Sequence, residues 1–219
     1  MGINTVLFDF DGTVADTNQL VINSWQHTYM TRRGKKVPEE EIIKTFGEPL
    51  NITMAKDMPE VDVTESIEIY RGYQVNHFEE LIDIFPGMKE CIIRLKEEGY
   101  NVGIVTSRVR ASTDRGLRAF GVTEYIDETV SCEDTDRHKP DPEPVLCALR
   151  KFGVKNDEAL MVGDSMFDIK CAHNAGVRAA MVGWALAVSE EDLAGEDAPD
   201  YIMEKADDIF DILKEVNNA

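Results

Sequence analysis

Val6-Leu7-Phe8-Asp9-Phe10-Asp11-Gly12-Thr13 is the stretch that decides the fold of this chain. Its apolar start predicts a buried parallel strand, which ends in two acids separated by one residue. Because the side chains of a strand alternate with a period of two, we expect Asp9 and Asp11 to point the same way. Two like charges repel when they lie close together, so the pair favours a bound cation such as Mg2+ with oxygen ligands. A solvated acidic turn is the alternative for these two residues considered alone.

Hydroxyl and guanidinium groups follow a second predicted strand. The apolar run 101–105 ends in Thr106, Ser107 and Arg108, and Arg110 is a further candidate for contact with an anion. Hydroxyl groups at the end of a strand suit phosphate oxygens. Thr and Ser are also common turn and N-cap residues, because they form local hydrogen bonds. The segment therefore indicates either an anion site or an ordinary turn.

A lysine and two acids complete the set of polar positions. Lys139 lies in the segment 138–142, where two prolines open a predicted helix and restrict the direction of the lysine. The apolar run 159–163 ends at Asp164, and Asp168 follows four residues later, so both acids face one site if a helix begins between them. Each of these segments thus follows a predicted strand or opens a predicted helix. In chain order they carry an acid pair, hydroxyl groups, a lysine and a second acid pair. This order predicts one polar site at an edge of a parallel sheet.

In this order the four segments resemble the four motifs of the haloacid dehalogenase-like hydrolases, and the likeness extends over nearly the whole chain. The resemblance implies a phosphohydrolase in which Asp9 attacks phosphorus and forms an aspartyl-phosphate. It also implies that Asp11 protonates the leaving group and then activates water for the second step. Covalent catalysis of this kind splits one difficult displacement into two easier ones.

The same resemblance implies roles for the other polar positions. Thr106, Ser107 and Arg108 are expected to bind the transferred phosphoryl group. Lys139 is expected to offset the negative charge that the nucleophile and the phosphate share. The implied cofactor is Mg2+, and its implied ligands are Asp9, the backbone carbonyl of Asp11, Asp164 and, indirectly or through water, Asp168.

The rest of the chain predicts an α/β fold with an insert. Helices and strands alternate, which is typical of a Rossmann-like parallel sheet with helices on both faces. A helical stretch interrupts this alternation after the first strand, and Phe85-Pro86-Gly87 marks the return of the chain. We therefore predict a catalytic core domain of residues 1–15 and 85–219 and a small helical cap domain of residues 16–84. The resembled family has a subgroup with an insert at this place.

Substrate selection is expected to depend on the cap. Gly47 lies in the segment 45–50, which is similar to a loop that many phosphatases of the family lay over the active site, although a plain interhelical turn explains it equally well. The basic cluster 32–36 complements a helix dipole and is interpreted as solvated, with contact to the substrate as the alternative. Trp184 is expected either to wall the pocket or to pack in the core.

Composition and charge exclude several classes of partner. The chain has 219 residues, 43% of them hydrophobic, which suffices for one core and a smaller unit. A net charge of -19 and a pI of about 4.5 argue against nucleic acid or an anionic membrane as a partner. A small anionic phosphate substrate must then be attracted by local positive charge.

The cysteines and the start of the chain bear on location. The four cysteines are widely spaced and lack a C-x-x-C pair, so we expect reduced thiols in a cytoplasmic protein rather than a zinc site. The first predicted strand begins within a few residues of Met1, which leaves no room for a signal peptide. No apolar stretch approaches the length of a membrane span. The oligomeric state stays open between monomer and homodimer.

Other activities of the resembled family fit less well. Haloacid dehalogenases lack an acid equivalent to Asp11, hexose-phosphate mutases carry a cap histidine where Val21 stands, and phosphonoacetaldehyde hydrolases need a cap lysine earlier than Lys35. The segments around Lys139 and Asp164 look most like those of phosphoglycolate phosphatases and small cytosolic pyrophosphatases. We therefore predict phosphoglycolate as the first substrate and inorganic pyrophosphate as the alternative. A non-catalytic module that binds a phosphorylated metabolite is the rival from another class, and the intact acids and lysine weigh against it.

Overall fold

The protein is represented by a computed structural model, which describes residues 2–218. Within these residues the strands are β1 (Thr5–Phe8), β2 (Ala15–Asp16), β3 (Asp83–Ile84), β4 (Asn101–Val105), β5 (Glu128–Val130), β6 (Ala159–Gly163), β7 (Arg178–Val182) and β8 (Tyr201–Met203). The helices are α1 (Asn18–Arg33), α2 (Glu39–Ile43), α3 (Leu50–Asp57), α4 (Val63–His77), α5 (Met88–Glu97), α6 (Arg110–Phe120), α7 (Glu143–Phe152), α8 (Met166–Asn174), α9 (Glu190–Ala194) and α10 (Asp208–Asn218). Two short 3-10 turns cover Thr123–Tyr125 and Asn156–Glu158.

Six strands form one parallel sheet with the order β5-β4-β1-β6-β7-β8. β1 lies in the middle, where Phe8 is paired with Ile104 on one side and Val162 on the other. All four residues of β1 are buried, because a parallel sheet is covered on both faces and its central strands have no solvent side. The carboxyl ends of β1, β4 and β6 therefore meet at one edge of the sheet.

Helices cover both faces of this sheet. Along β1 the side chains alternate, so Val6 and Phe8 pack in one apolar cluster and Leu7 packs in another. The first cluster includes residues of α5, α6 and α10, and the second includes residues of α7 and α8. This arrangement confirms the predicted α/β class with helices on both faces.

The helices α1 to α4 form an insert between β2 and β3. These two short strands pair in the antiparallel direction, with Ala15 opposite Ile84, so the chain leaves and re-enters the sheet region at one place. The insert has its own apolar cluster, in which Trp25 contacts Tyr70 edge-on at a ring distance of 5.5 Å. The division into a core of 1–15 and 85–219 and a cap of 16–84 stays a prediction. Its outermost residues, 1 and 219, lie outside the described residues.

Two further expectations concern the cysteines and the membrane. Cys91 and Cys171 are buried, Cys132 and Cys147 are partly exposed, and all four are free thiols. Burial raises the pKa of Cys91 to about 12, so this thiol is held in its neutral form. No helix within residues 2–218 combines the length and the apolar character that crossing a membrane requires.

Candidate active site

One cavity of about 190 Å³ lies at the carboxyl edge of the sheet. Its floor comes from the segments that follow β1, β4 and β6 and from the loop between β5 and α7, and its roof comes from the helical insert. The predicted catalytic, phosphate-binding and metal-binding residues, together with Gly47, line this one cavity: Asp9, Asp11, Gly47, Thr106, Ser107, Arg108, Lys139, Asp164 and Asp168. Parallel topology explains the convergence, since polar residues that follow different strands reach the same edge.

Asp9 and Asp11 both face the cavity, but not for the reason that the strand period suggested. β1 ends at Phe8, so neither acid is part of the strand. The backbone turns directly afterwards, and Gly12 has a φ of 76°, in the left-handed region that favours glycine. A Cβ atom at Gly12 would overlap the Asp164 carboxylate. The turn thus brings the acids that follow β1 close to the acid that follows β6.

Lys139 is the buried cation of the site. Its Nζ donates to Asp9 Oδ1 at 2.8 Å, to Asp168 Oδ1 at 2.5 Å and to the carbonyl oxygen of Val105 at 2.7 Å. These three acceptors use all three N–H groups of the ammonium. Burial would lower the pKa of Lys139, but the two carboxylates outweigh it and the pKa is raised. The lysine is therefore held as a charged group in one orientation.

The acids around Lys139 carry more negative charge than it neutralises. Asp9, Asp164 and Asp168 are buried, and one oxygen of each lies within 4.8 Å of the others. Burial raises the pKa of Asp9 to about 7, although Lys139 opposes the shift. Burial also raises the pKa of Asp164 well above its usual range, and the charge of Asp168 adds to this effect. A cluster of buried carboxylates with a single cation is a donor set that suits a hard divalent cation.

Both carboxylate oxygens of Asp168 have protein partners. Oδ1 accepts from Lys139, and Oδ2 accepts from the backbone N–H and the hydroxyl of Ser165, at 3.1 Å and 2.6 Å. Ser165 is the N-cap of α8, and Asp168 completes its capping box. Asp168 thus fixes Lys139 relative to the start of α8, which is compatible with an indirect role toward a metal.

The hydroxyl of Thr106 closes a local turn at the end of β4. Thr106 Oγ1 accepts from the backbone N–H of Arg108 at 3.1 Å, and the residue is buried, whereas Ser107 between them is exposed. This is the local side-chain-to-backbone bond that the turn interpretation predicted. Because Thr106 and Ser107 also line the cavity, the turn and the anion site are compatible.

Arg108 links three parts of the site. Its side chain is only 6% exposed and donates to Asp11 Oδ1 at 2.7 Å, to Ser112 Oγ at 2.7 Å and to Gln74 Oε1 at 3.2 Å. Gln74 belongs to α4 of the insert, and its own amide donates to the hydroxyl of Tyr70 at 3.1 Å. The guanidinium therefore joins the acid that follows β1 to the helical insert.

Gly47 brings the backbone of the insert close to the core at the cavity. It has a φ of 82°, and a Cβ atom there would lie 2.6 Å from Ser165 Oγ and 3.0 Å from the ring of Phe167. Both the backbone conformation and the space therefore require glycine. Segment 45–50 therefore approaches the start of α8 closely through the backbone of Gly47.

An alanine at this position should disturb the loop. We expect Gly47→Ala to lower kcat/KM for the best substrate about 10²-fold, and less for p-nitrophenyl phosphate, because a loop displaced by about 1 Å no longer encloses the substrate. Gly72→Ala is the matched control, since nothing lies within 4 Å of a Cβ atom at that helical glycine. Steady-state kinetics on both variants measures the effect. Unaltered substrate preference in Gly47→Ala would place selectivity elsewhere.

Arg110, a candidate for contact with the anion, and Trp184, a candidate for the pocket wall or the core, do not line the cavity. Arg110 donates to Asp134 at 2.7 Å and to the carbonyl oxygen of Thr129 at 2.7 Å, so its guanidinium braces the segment after β5. Trp184 packs against Phe85 at a ring distance of 5.4 Å, which agrees with the core-packing interpretation. The prediction that Arg110 contacts the substrate anion has no support in this geometry.

The basic cluster 32–36 also lies away from the cavity lining. Arg32 pairs with Glu65 at 2.8 Å, and Arg33 pairs with Glu60 at 2.5 Å. These bonds tie the end of α1 to the start of α4 and to the segment before it. The two arginines are therefore surface ion-pair partners within the insert. Neither of them lines the cavity in which a substrate would bind.

The insert contributes cavity residues that sequence reasoning missed. Trp25, Tyr70, Gln74 and Arg71 line the cavity, although none of them belongs to a motif that the sequence singles out. Aromatic residues at helical spacing are usually core, and one arginine on a helix belongs to no motif. The signal that could have identified Arg71 is its position three residues before Gln74, on the same side of α4.

Comparison with known proteins places these features in a family. The model of the haloacid dehalogenase-like hydrolases matches residues 6–182. A Caldanaerobacter subterraneus protein described as a candidate pyrophosphatase PpaX is 42% identical over 98% of this chain and 94% of its own length. Pyrophosphatase PpaX of Halalkalibacterium halodurans is 38% identical over 97% of this chain and 98% of its own length.

A solved structure supports the same relationship. A Lactobacillus plantarum protein described as a candidate phosphoglycolate phosphatase has a TM-score of 0.83 and is 26% identical, with 97% of this chain and 100% of the other chain covered. The likeness therefore includes both the sheet and the helical insert.

Proposed function

The chain belongs to the haloacid dehalogenase-like hydrolase family, and from this premise we propose that it is a Mg2+-dependent phosphohydrolase that acts through an aspartyl-phosphate on Asp9. The observation that carries the proposal is the pair formed by Asp9 and Lys139, which lies buried in a cavity beside Asp11 and Thr106. A carboxylate held next to a cation and a hydroxyl turn supplies a positioned nucleophile and an anion site.

Inorganic pyrophosphate is the first substrate that we propose, with phosphoglycolate second. This order reverses the one predicted from the sequence. Relatives that are 38–42% identical along nearly the whole chain carry the name pyrophosphatase. The phosphoglycolate name belongs to a structural neighbour at 26% identity. Both compounds are small, as a cavity of about 190 Å³ requires.

In the first step, an oxygen of Asp9 bonds to phosphorus while the bond from phosphorus to the leaving oxygen breaks. Lys139 keeps the Asp9 carboxylate in place, because Asp9 Oδ1 lies 2.8 Å from its Nζ. Thr106 and Ser107 line the same cavity and would bind the oxygens of the transferred phosphoryl group, whereas the guanidinium of Arg108 already pairs with Asp11. Positioning and charge neutralisation are the main requirements of phosphoryl transfer.

Asp11 transfers a proton in both steps. Arg108 holds Asp11 Oδ1, which leaves the second oxygen of this carboxylate to give a proton to the leaving group. In the second step the same oxygen takes a proton from water, whose oxygen bonds to phosphorus as the bond to Asp9 breaks. General acid–base help of this kind is worth about 10²- to 10⁴-fold in rate.

Mg2+ fits the donor set of this cavity. The buried carboxylates of Asp9 and Asp164 and the backbone carbonyl of Asp11 would hold it, with Asp168 acting indirectly. When bound, the ion supplies positive charge to the acids and to the phosphoryl oxygens. Burial raises the pKa values of Asp9 and Asp164, and the charge of the neighbouring Asp168 raises them further.

The proposal includes the two-domain organisation and the setting of the enzyme. Residues 16–84 form a cap over a core of 1–15 and 85–219, supported by the separate apolar cluster of the insert and its antiparallel link. The substrate is a small anionic phosphate, and the net charge of -19 opposes nucleic-acid and membrane partners. A cytoplasmic location and a monomer or homodimer stay predictions.

A substrate and metal panel tests the function. We expect the purified protein to hydrolyse pyrophosphate with Mg2+, to lose activity in chelator, and to be suppressed by Ca2+. The larger Ca2+ takes roughly 6 to 8 ligands and can occupy both oxygens of a nucleophilic carboxylate. Phosphate release is measured for pyrophosphate, phosphoglycolate and other phosphate esters. Binding without turnover of any of them would favour the non-catalytic module, and full activity in chelator would refute the metal requirement.

A further inference from the structure

Three basic side chains line the cavity: Lys139, Arg108 and Arg71. Lys139 has no N–H group left for another anion, because its three donors already have acceptors. A negative group of the substrate other than the transferred phosphoryl must therefore find its positive charge elsewhere. The two arginines are the basic groups in the cavity lining that remain for this purpose.

Arg108 has unused donors although it is buried. A guanidinium has five N–H groups, and Asp11, Ser112 and Gln74 account for three contacts. At least two N–H groups are left on a side chain that is 6% exposed and borders the cavity. Buried donors without an acceptor are costly, so this part of the cavity favours an acceptor, and an anionic one most.

Arg71 is exposed on α4 and, within residues 2–218, makes no ion pair. Arg32 and Arg33 in the same insert differ in this respect, since each of them pairs with a glutamate. An arginine without a carboxylate partner at the mouth of a cavity is available to a ligand.

Hydrogen bonds of neighbouring residues hold the helical segment that carries Arg71. Gln74 joins Arg108 to Tyr70, so this part of α4 is held against the segment that follows β4. Arg71 precedes Gln74 by three residues and therefore projects on the same side of the helix. Arg71 and Arg108 thus border one cavity from opposite parts of the structure, the insert and the sheet.

We propose that Arg71 and Arg108 together bind a second anionic group of the substrate. This selects small phosphates that carry another acid group over phosphates of neutral alcohols. The inference rests on the proposed function. Guanidinium groups suit the role because their planar forks match phosphate and carboxylate oxygens. The second phosphate of pyrophosphate and the carboxylate of phosphoglycolate share this chemistry.

The test compares pyrophosphate and phosphoglycolate with 2-hydroxyethyl phosphate, in which a neutral hydroxyl replaces the second acid group. For each substrate, kcat/KM of Arg71→Gln is divided by that of the wild type, so the intrinsic reactivity of the leaving group cancels. We expect the loss of kcat/KM to be about 10-fold greater for pyrophosphate and phosphoglycolate than for 2-hydroxyethyl phosphate, because one charge-assisted contact is lost. If pyrophosphate shows the larger loss, phosphate is the preferred second acid group, and if phosphoglycolate does, carboxylate is.

Two further variants are matched controls. Arg71→Lys keeps the charge and should recover part of the preference for pyrophosphate and phosphoglycolate. Arg118 is exposed on α6 and does not line the cavity, so Arg118→Gln should keep wild-type ratios. Equal losses for all three substrates in Arg71→Gln would overturn the inference and leave the proposed function standing. A wild-type protein that hydrolyses none of the three with Mg2+ would overturn both.

Discussion

Asp9→Asn is expected to lower kcat for pyrophosphate by at least about 10⁴-fold, because an amide oxygen is a poor nucleophile toward phosphorus. The fold should persist. Lys139 keeps Asp168 and the carbonyl oxygen of Val105 as acceptors, and the substitution removes one of several repelling buried charges. We therefore expect a melting temperature in chelator that is equal to or above that of the wild type. Phosphate release and thermal unfolding measure the two effects.

The control for this variant is an aspartate in the loop that carries Lys139. Asp136 is exposed and does not line the cavity, so Asp136→Asn should retain wild-type kcat. An Asp9→Asn variant with wild-type turnover would remove Asp9 as the nucleophile. An Asp9→Asn variant that is both inactive and unfolded would contradict the expectation that the fold persists.

Lys139→Met is expected to cost both activity and stability. Without the ammonium, the buried carboxylates of Asp9 and Asp168 lose their shared partner, and removing one member of a buried ion pair typically costs about 3–5 kcal/mol. For a chain of this size that corresponds to a loss of about 10 °C in melting temperature. Loss of a positioned charge should lower kcat about 10³-fold.

A double variant separates the two effects of Lys139→Met. Lys139→Met with Asp168→Asn removes one of the unpaired charges, so part of the stability should return while activity stays low. Thermal unfolding in chelator and steady-state kinetics on the single and double variants check this expectation. A single Lys139→Met variant as stable as the wild type would show that the ammonium does not neutralise the cluster.

The sheet and the convergence of the site were predictable because each depends on local pattern. Apolar runs predict strands, and parallel strands bring the residues that follow them to one edge. Thus Asp9, Thr106 and Asp164 lie together although about 150 residues separate the first from the last. The expectation that the acids share a strand was wrong, because β1 ends at Phe8, but the turn that follows produces the same result.

The side-chain pairing at the site was not predictable, because it depends on partners far apart in the chain. Arg108 and Arg110 look equivalent in the sequence, yet one pairs with Asp11 in the cavity and the other with Asp134 outside it. A choice between such partners follows from tertiary geometry and not from any local period. Arg71 shows the same limit, since a charged residue on a helix is normally interpreted as solvated.

Rapid acid quench of the wild-type protein with 32P-labelled pyrophosphate and Mg2+ detects whether a covalent phosphoryl group forms on Asp9. We expect a transient, hydroxylamine-sensitive label that appears before phosphate release and maps to the peptide containing Asp9. Asp9→Asn should show no such label. Turnover of wild-type protein without any labelled intermediate, or a label on a different residue, would show that Asp9 is not the nucleophile.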